Sequence, residues 1–143
     1  MHALRLINAV SRQHTPPMSQ EFFDLFDQLV PESGQACTVQ GELVRAVMKL
    51  SNDFVSNGFA NWDAGYERLC TFALHHLVDG TFDPQTSTGI RTDIEHIQRY
   101  GRGEDSGGYD LEAAFDRLMQ ASAGWCQRHP DPIPHSPDPE LKR

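Results

Sequence analysis

The apolar residues that follow Thr38 recur at the spacing of an α-helix, and this pattern constrains the fold more than any other part of the chain. One face of the predicted helix carries Val39, Leu43, Val47, Leu50 and Phe54. A 3.6-residue repeat of this length corresponds to about four to five turns. Thr38 is a suitable N-cap, and Asn57-Gly58 is a suitable stop because both residues tolerate the left-handed conformation. Such a helix must bury its apolar face against other elements.

Four further segments carry apolar residues at helical spacing. They cover residues 19–30, about 63–78, 90 to about 101, and about 110–128. Between the third and fourth helices we expect a polar loop over 81–89. Residues 1–13 fit a short helix and, through the alternation of Leu4, Leu6 and Val10, a strand almost equally well, and the chain contains no convincing strand. The sequence therefore predicts an all-α fold: a single compact domain of about five helices, packed as an irregular helical bundle.

Prolines mark both ends of the helical domain. Residues 1–17 are interpreted as an N-terminal extension, with Met18 directly after it as an alternative start, and residues 18–129 as the helical domain. Residues 130–143 form an extended Pro-rich C-terminal tail. The tail either presents the PxxP spacing over 134–137 to a partner or packs across its own helices with Ile133 as anchor; we expect the second.

The charge of the chain argues against two classes of partner. Its 143 residues include 12 Lys and Arg against 20 Asp and Glu, which gives a net charge of −8. Nucleic acid phosphates require stripes of Lys and Arg, so no nucleic acid partner is predicted. No apolar run approaches the ~20 residues of a membrane-spanning helix, so no membrane association is predicted.

The cysteines indicate the compartment. Cys37, Cys70 and Cys126 are odd in number, widely spaced and form no CxxC motif. This pattern favours free thiols over a disulfide framework, and free thiols are typical of a reducing cytoplasm. We therefore predict a cytoplasmic protein.

The polar face of the central helix and the loop after it form the candidate binding site. The predicted binding residues are Glu42, Arg45, Lys49, Asn61, Trp62, Asp63 and Tyr66. Trp, Tyr and Arg are the residue types that most often anchor protein interfaces, and loops on a rigid scaffold often carry sites.

Structural roles are the alternative for most of these residues. Trp62 and Tyr66 also fit the buried stripe of the third helix, and either Asn61 or Asp63 fits its N-cap. Only one of the two can be the cap, so the other is available for binding. On the central helix, Glu42 with Arg45 and Lys49 with Asp53 are spaced for ion pairs.

A metal-dependent or small-molecule enzyme is the alternative function. His76, Cys126 and His129 are its candidate ligands, because Cys126 and His129 are three residues apart and Cys/His mixtures suit zinc. His75 projects about 100° away from His76 on a helix and cannot join the same ion. Three ligands without a fourth make a poor structural site, so we predict neither metal nor cofactor.

Other catalytic patterns do not emerge from the sequence. It contains no GxSxG motif, Walker loop or GxGxxG fingerprint. Cys70 lies on an apolar helical stripe, which is typical of an inert core thiol. Asp93 and His96 are three residues apart, and without a second such pair we interpret them as a solvated ion pair. We predict no catalytic residues.

The segments VPESG, TVQGELVRA, NG and NWDAGY, followed by WC and HPDPIP, resemble a family of small uncharacterised bacterial proteins. The resemblance covers the chain from about Val30 onward. It implies no activity and assigns no catalytic residue.

These features favour a small acidic cytoplasmic domain that binds a protein partner or a second copy of itself, for instance as an inhibitor or immunity-type factor. The alternatives are the enzyme described above and a structural accessory domain whose only role is assembly.

Overall fold

The structure of the protein is a computed structural model that describes residues 17–29, 38–105 and 107–135. These residues contain five α-helices. They are α1 (Pro17–Leu29), α2 (Val39–Asn57), α3 (Ala64–Leu77), α4 (Pro84–Gly101) and α5 (Leu111–Arg128). The described residues contain no strand, only an isolated bridge between Thr38 and Pro134. The predicted all-α bundle of five helices is therefore confirmed. Among the described residues, no helix combines the length and apolarity needed to span a membrane.

The start of α4 differs from the prediction. The expected polar loop over 81–89 was wrong, because α4 already begins at Pro84. The Asp83 carboxylate accepts a hydrogen bond from the backbone N–H of Thr86 at 3.2 Å and caps the helix. Pro84 occupies the first turn, where its missing N–H costs nothing and its fixed φ favours the helix. The Asp83-Pro84 pair therefore starts a helix here, although the residues that follow are polar.

All five helices contribute to one hydrophobic core. The largest fully buried side chains include Phe22, Leu43, Leu77, Ile94 and Trp125, one from each helix. Burying each such side chain contributes about 1.5–3 kcal/mol. Helix α5 packs against α1, α2 and α4. Helices α2 and α3 also pack side by side, and each leaves its outer face to solvent. This arrangement places the polar face of α2 next to α3.

The chain after α5 crosses back over the start of α2. We refer to residues 129–135 as the strap. The backbone N–H of Val39 donates to the carbonyl of Ile133 at 2.8 Å, and Ile133 packs against the core as predicted. Residues 1–16 of the predicted N-terminal extension and the tail beyond His135, including the second half of the PxxP spacing, lie outside the described residues.

Gln40 holds the strap in place. This side chain is only 4% exposed. Its amide nitrogen donates to the carbonyls of His129 and Asp131, both at 2.7 Å, and its oxygen accepts from the Ile133 N–H at 3.1 Å. Every polar group of the buried amide except one lone pair is therefore used on backbone groups of the strap.

Gln40→Ala is expected to lower the free energy of unfolding by about 1–3 kcal/mol, because three strap backbone groups lose their partner. Amide hydrogen exchange should show the protection of Ile133 falling more than that of Leu118 in α5. Gln20→Ala, at an exposed amide on α1, is the matched control. Unchanged protection of Ile133 in Gln40→Ala would contradict this role.

Asp93 forms a buried charged cluster between α4 and α5. The predicted solvated ion pair with His96 was wrong, because Asp93 is 1% exposed and pairs with Arg117. Arg117 contacts both carboxylate oxygens, at 2.9 and 2.8 Å, and the Tyr109 hydroxyl donates to one of them at 2.5 Å. The His96 ring stacks on the Tyr109 ring with centroids 3.8 Å apart. The cluster therefore fixes the segment before α5 to α4.

Candidate functional site

A groove of about 500 Å³ lies between α2 and α3. Five of the seven predicted binding residues line it: Glu42, Arg45, Lys49, Asp63 and Tyr66. The other lining residues are Ala46, Gly65, Arg68, Leu69, Phe72 and His135. We refer to this feature as the α2–α3 groove.

Helical spacing explains why these side chains meet. On α2 the lining positions are 42, 45, 46 and 49, and on α3 they include 65, 68, 69 and 72. Both sets follow the i, i+3, i+4, i+7 pattern of a single helical face. Ala46, Leu69 and Phe72 give the groove an apolar lining, and the strap contributes His135 at its edge.

One wall of the groove is held rigid by a Lys49–Asp53–Tyr66 network. The Asp53 carboxylate accepts from Lys49 Nζ at 2.9 Å and from the Tyr66 hydroxyl at 2.5 Å. The hydrogen bond to Asp53, assisted by burial, raises the pKa of Tyr66 to about 12. Burial acts to raise the pKa of Asp53, but the bonds from Tyr66 and Lys49 outweigh it and lower this pKa. The predicted Lys49–Asp53 ion pair is confirmed, and it neutralises the Lys49 charge.

The two arginines of the groove differ from Lys49. Within the described residues, neither Arg45 nor Arg68 forms an ion pair, and both side chains are exposed. The predicted Glu42–Arg45 ion pair does not form. The groove therefore combines an apolar lining with two guanidinium groups that have no carboxylate within ion-pair distance among the described residues.

The loop before α3 supports the groove from behind. Asp63 is the N-cap of α3, and its carboxylate accepts from the N–H groups of Gly65 at 2.9 Å and Tyr66 at 3.3 Å. The Trp62 ring stacks on Tyr66 with centroids 5.1 Å apart and planes at 13°. Trp62 and the exposed Asn61 lie outside the groove lining. Their predicted binding role stays a prediction, whereas Trp62 has a visible packing role.

Phe59 is the buried centre of this loop, and the sequence did not indicate it. It is 4% exposed and contacts the rings of Phe54, Trp62 and Tyr66. Its φ of 60° is left-handed, which is uncommon for an aromatic residue. The Asn57 side chain supports this conformation by accepting a hydrogen bond from the Phe59 N–H at 2.9 Å.

Glu67 connects Trp62 to α4. Its carboxylate binds the Arg102 guanidinium at 2.7 and 2.8 Å and accepts from the Trp62 indole at 2.6 Å. Gln98 donates to it at 3.2 Å. The Arg102 hydrogen bonds, which outweigh the effect of burial, lower the pKa of Glu67 from 4.5 to about 2.

This lowered pKa predicts a pH-dependent loss of stability. A carboxyl group whose pKa falls on folding stabilises the folded state above its unfolded pKa, and that contribution disappears as the pH drops through the folded pKa. Glu67→Gln should therefore be less stable than the wild type by about 1–2 kcal/mol at pH 7, allowing for partial solvent screening. The difference should shrink below pH 4.5 and vanish near pH 2. Urea unfolding at a series of pH values measures it, and a constant difference would contradict the assignment.

The metal-ligand candidates lie around Trp125. The His129 ring stacks on the Trp125 ring at 3.9 Å, and its Nδ1 lies 2.9 Å from the Trp125 carbonyl oxygen. Cys126 is buried, which raises the pKa of its thiol to about 11. His76 contacts Trp125 ring to ring at 5.6 Å. In the part of the chain that the structure describes, no group of three or more His, Cys, Asp and Glu residues is placed to hold a metal ion.

Cys70 is a buried free thiol on α3. Burial raises its pKa to about 12, so the nucleophilic thiolate is suppressed at neutral pH. This is the environment of an inert core cysteine.

Comparison of the chain with protein-family models, curated proteins and solved structures gave no match. The resemblance to small bacterial proteins therefore stays a prediction.

Proposed function

We propose that this chain is a protein-binding domain that holds a segment of another protein in the α2–α3 groove. One observation carries the proposal: residues predicted as an interface from sequence converge with Arg68, Leu69 and Phe72 on one groove. Apolar anchors beside arginine and tyrosine are the composition of interface centres. The partner would place an apolar side chain against Ala46, Leu69 and Phe72.

Other ligand classes have less support. The net charge of −8 opposes polyanionic nucleic acid. The Tyr66 hydroxyl at the groove is engaged by Asp53, and the buried thiols of Cys70 and Cys126, which lie outside the groove lining, have raised pKa values, so none of these three groups is an activated nucleophile. We place the protein in the cytoplasm because its cysteines fit a reducing compartment. An inhibitor or immunity-type role is one form that such binding would take.

A selection from a displayed library of random peptides tests the proposal. We expect the wild type to enrich peptides whose binding weakens at least about tenfold in Phe72→Ala, because that substitution removes an aromatic ring from the groove. Phe82→Ala is the matched control, since Phe82 is also a partly buried phenylalanine but lies outside the groove lining. Thermal unfolding of both variants verifies that they are folded.

Three outcomes would contradict the proposal. Enriched peptides that bind Phe72→Ala and the wild type equally well would place binding elsewhere on the protein, and a selection without enrichment would argue against a peptide groove. If the wild type sediments as a dimer and Phe72→Ala as a monomer, the groove binds a second copy of this chain instead of another protein.

A further inference from the structure

Two arginines without ion-pair partners bear on the chemistry of the segment that the α2–α3 groove binds. Building on the proposed binding function, we propose that the bound segment is acidic and carries Asp or Glu side chains on both sides of an apolar anchor, recognised by Arg45 and Arg68.

The distribution of unpaired arginines carries this inference. Within residues 17–29, 38–105 and 107–135, four arginines form no ion pair: Arg45, Arg68, Arg91 and Arg128. The Arg128 guanidinium lies over the Phe82 ring, 4.8 Å from its centroid. Two of the remaining three line the same groove, on a chain with a net charge of −8. The groove thus brings together two arginines that have no ion-pair partner among the described residues, on a protein that is acidic as a whole.

The carboxylates at the groove have other roles, and none of them lies within ion-pair distance of Arg45 or Arg68. The Asp63 carboxylate is engaged as the N-cap of α3 by two backbone N–H groups. Glu42 lies in the first turn of α2, where the partial positive charge of the helix terminus favours a carboxylate. Asp53 is already held by Lys49 and Tyr66. Arg45 and Arg68 therefore keep their donors for a ligand.

The placement of the two arginines sets the pattern of the ligand. Arg45 projects from α2 and Arg68 from α3, and the apolar lining of Ala46, Leu69 and Phe72 belongs to the same groove. A guanidinium presents a planar fork of donors that fits a carboxylate in a bidentate manner. A segment with an apolar side chain between two acidic residues would place one carboxylate against each arginine and the apolar side chain against the lining.

The composition of the selected peptides tests this inference. We expect the peptides that depend on Phe72 to be enriched in Asp and Glu around an apolar residue. Arg45→Ala and Arg68→Ala should each weaken their binding about tenfold, because each removes a charged hydrogen bond. Arg91→Ala removes an exposed arginine outside the groove lining and should leave the affinity unchanged. The double variant Arg45→Glu/Arg68→Glu should select peptides rich in Lys and Arg instead.

The results that would overturn the acidic partner differ from those that would overturn binding in the groove. Phe72-dependent peptides without acidic enrichment, with affinities unchanged in Arg45→Ala and Arg68→Ala, would overturn the acidic partner but keep the groove. The absence of Phe72-dependent peptides would overturn both. A single-stranded oligonucleotide that binds as tightly as the peptides and loses affinity in both arginine variants would assign the arginines to phosphate and overturn the acidic segment.

Discussion

Asp93→Ala is expected to lower the free energy of unfolding by about 3 kcal/mol, the largest effect of any single polar substitution that we predict. The substitution removes the only carboxylate that pairs with Arg117 among the described residues and takes the acceptor from the Tyr109 hydroxyl. Arg117 is half exposed, so water compensates part of the loss and keeps the cost near the lower end for broken buried pairs. Urea unfolding measures the difference.

Two further variants isolate the interaction. Arg117→Ala leaves Asp93 buried and unpaired, so we expect the double variant Asp93→Ala/Arg117→Ala to lose less than the sum of the two single losses. Glu95→Ala, at an exposed acid on the same helix, should stay within about 0.5 kcal/mol of the wild type. Additive losses, or an Asp93→Ala variant as stable as Glu95→Ala, would contradict the assigned role of the cluster.

Gly101→Ala is expected to destabilise the protein by about 1–3 kcal/mol. Gly89→Ala on the same helix should instead stabilise it by about 0.5–1 kcal/mol. A Cβ at position 101 would lie 2.1 Å from the nearest Trp62 ring atom, a contact that the structure cannot accept without movement. A Cβ at position 89 meets no atom within 4 Å and only restricts the unfolded chain.

The opposite signs make this pair a stringent test. Thermal unfolding of the two variants should bracket the wild type, and near-ultraviolet circular dichroism should change only in Gly101→Ala as Trp62 moves. Equal stability of both variants would mean that Trp62 yields without cost. Because Trp62 stacks on Tyr66, Gly101→Ala should also disturb one wall of the α2–α3 groove.

The helices were predictable from sequence where an apolar period and a cap coincide. The face of α2 with Leu43 and Val47 shows its period directly, and Thr38 caps it as expected. The start of α4 was missed because the first two turns carry few apolar residues and only Asp83-Pro84 marks the beginning. The polar residues of this segment predicted a loop, whereas the Asp83 cap and Pro84 in the first turn start a helix there.

The candidate site was predictable only in part, for a reason of geometry. The face of α2 and the loop before α3 were visible from residue types, but the sequence did not show which face of α3 meets α2. Arg68, Leu69 and Phe72 were therefore missed, although their spacing with Gly65 on one helical face could have indicated them. Long-range partners such as Arg117 for Asp93 depend on the packing of two helices and leave no local signal.

Photo-crosslinking in the cells that make the protein tests the central claim, that the α2–α3 groove is the surface that binds a protein partner. Glu42→p-benzoylphenylalanine places a photoreactive ring at the groove and leaves the Lys49–Asp53–Tyr66 network intact, and Arg91→p-benzoylphenylalanine places one on an exposed position of α4 outside the lining. We predict a discrete adduct with a second polypeptide from position 42, weakened by Phe72→Ala, and none from position 91. Adducts from position 91 alone, or from neither position, would contradict the claim.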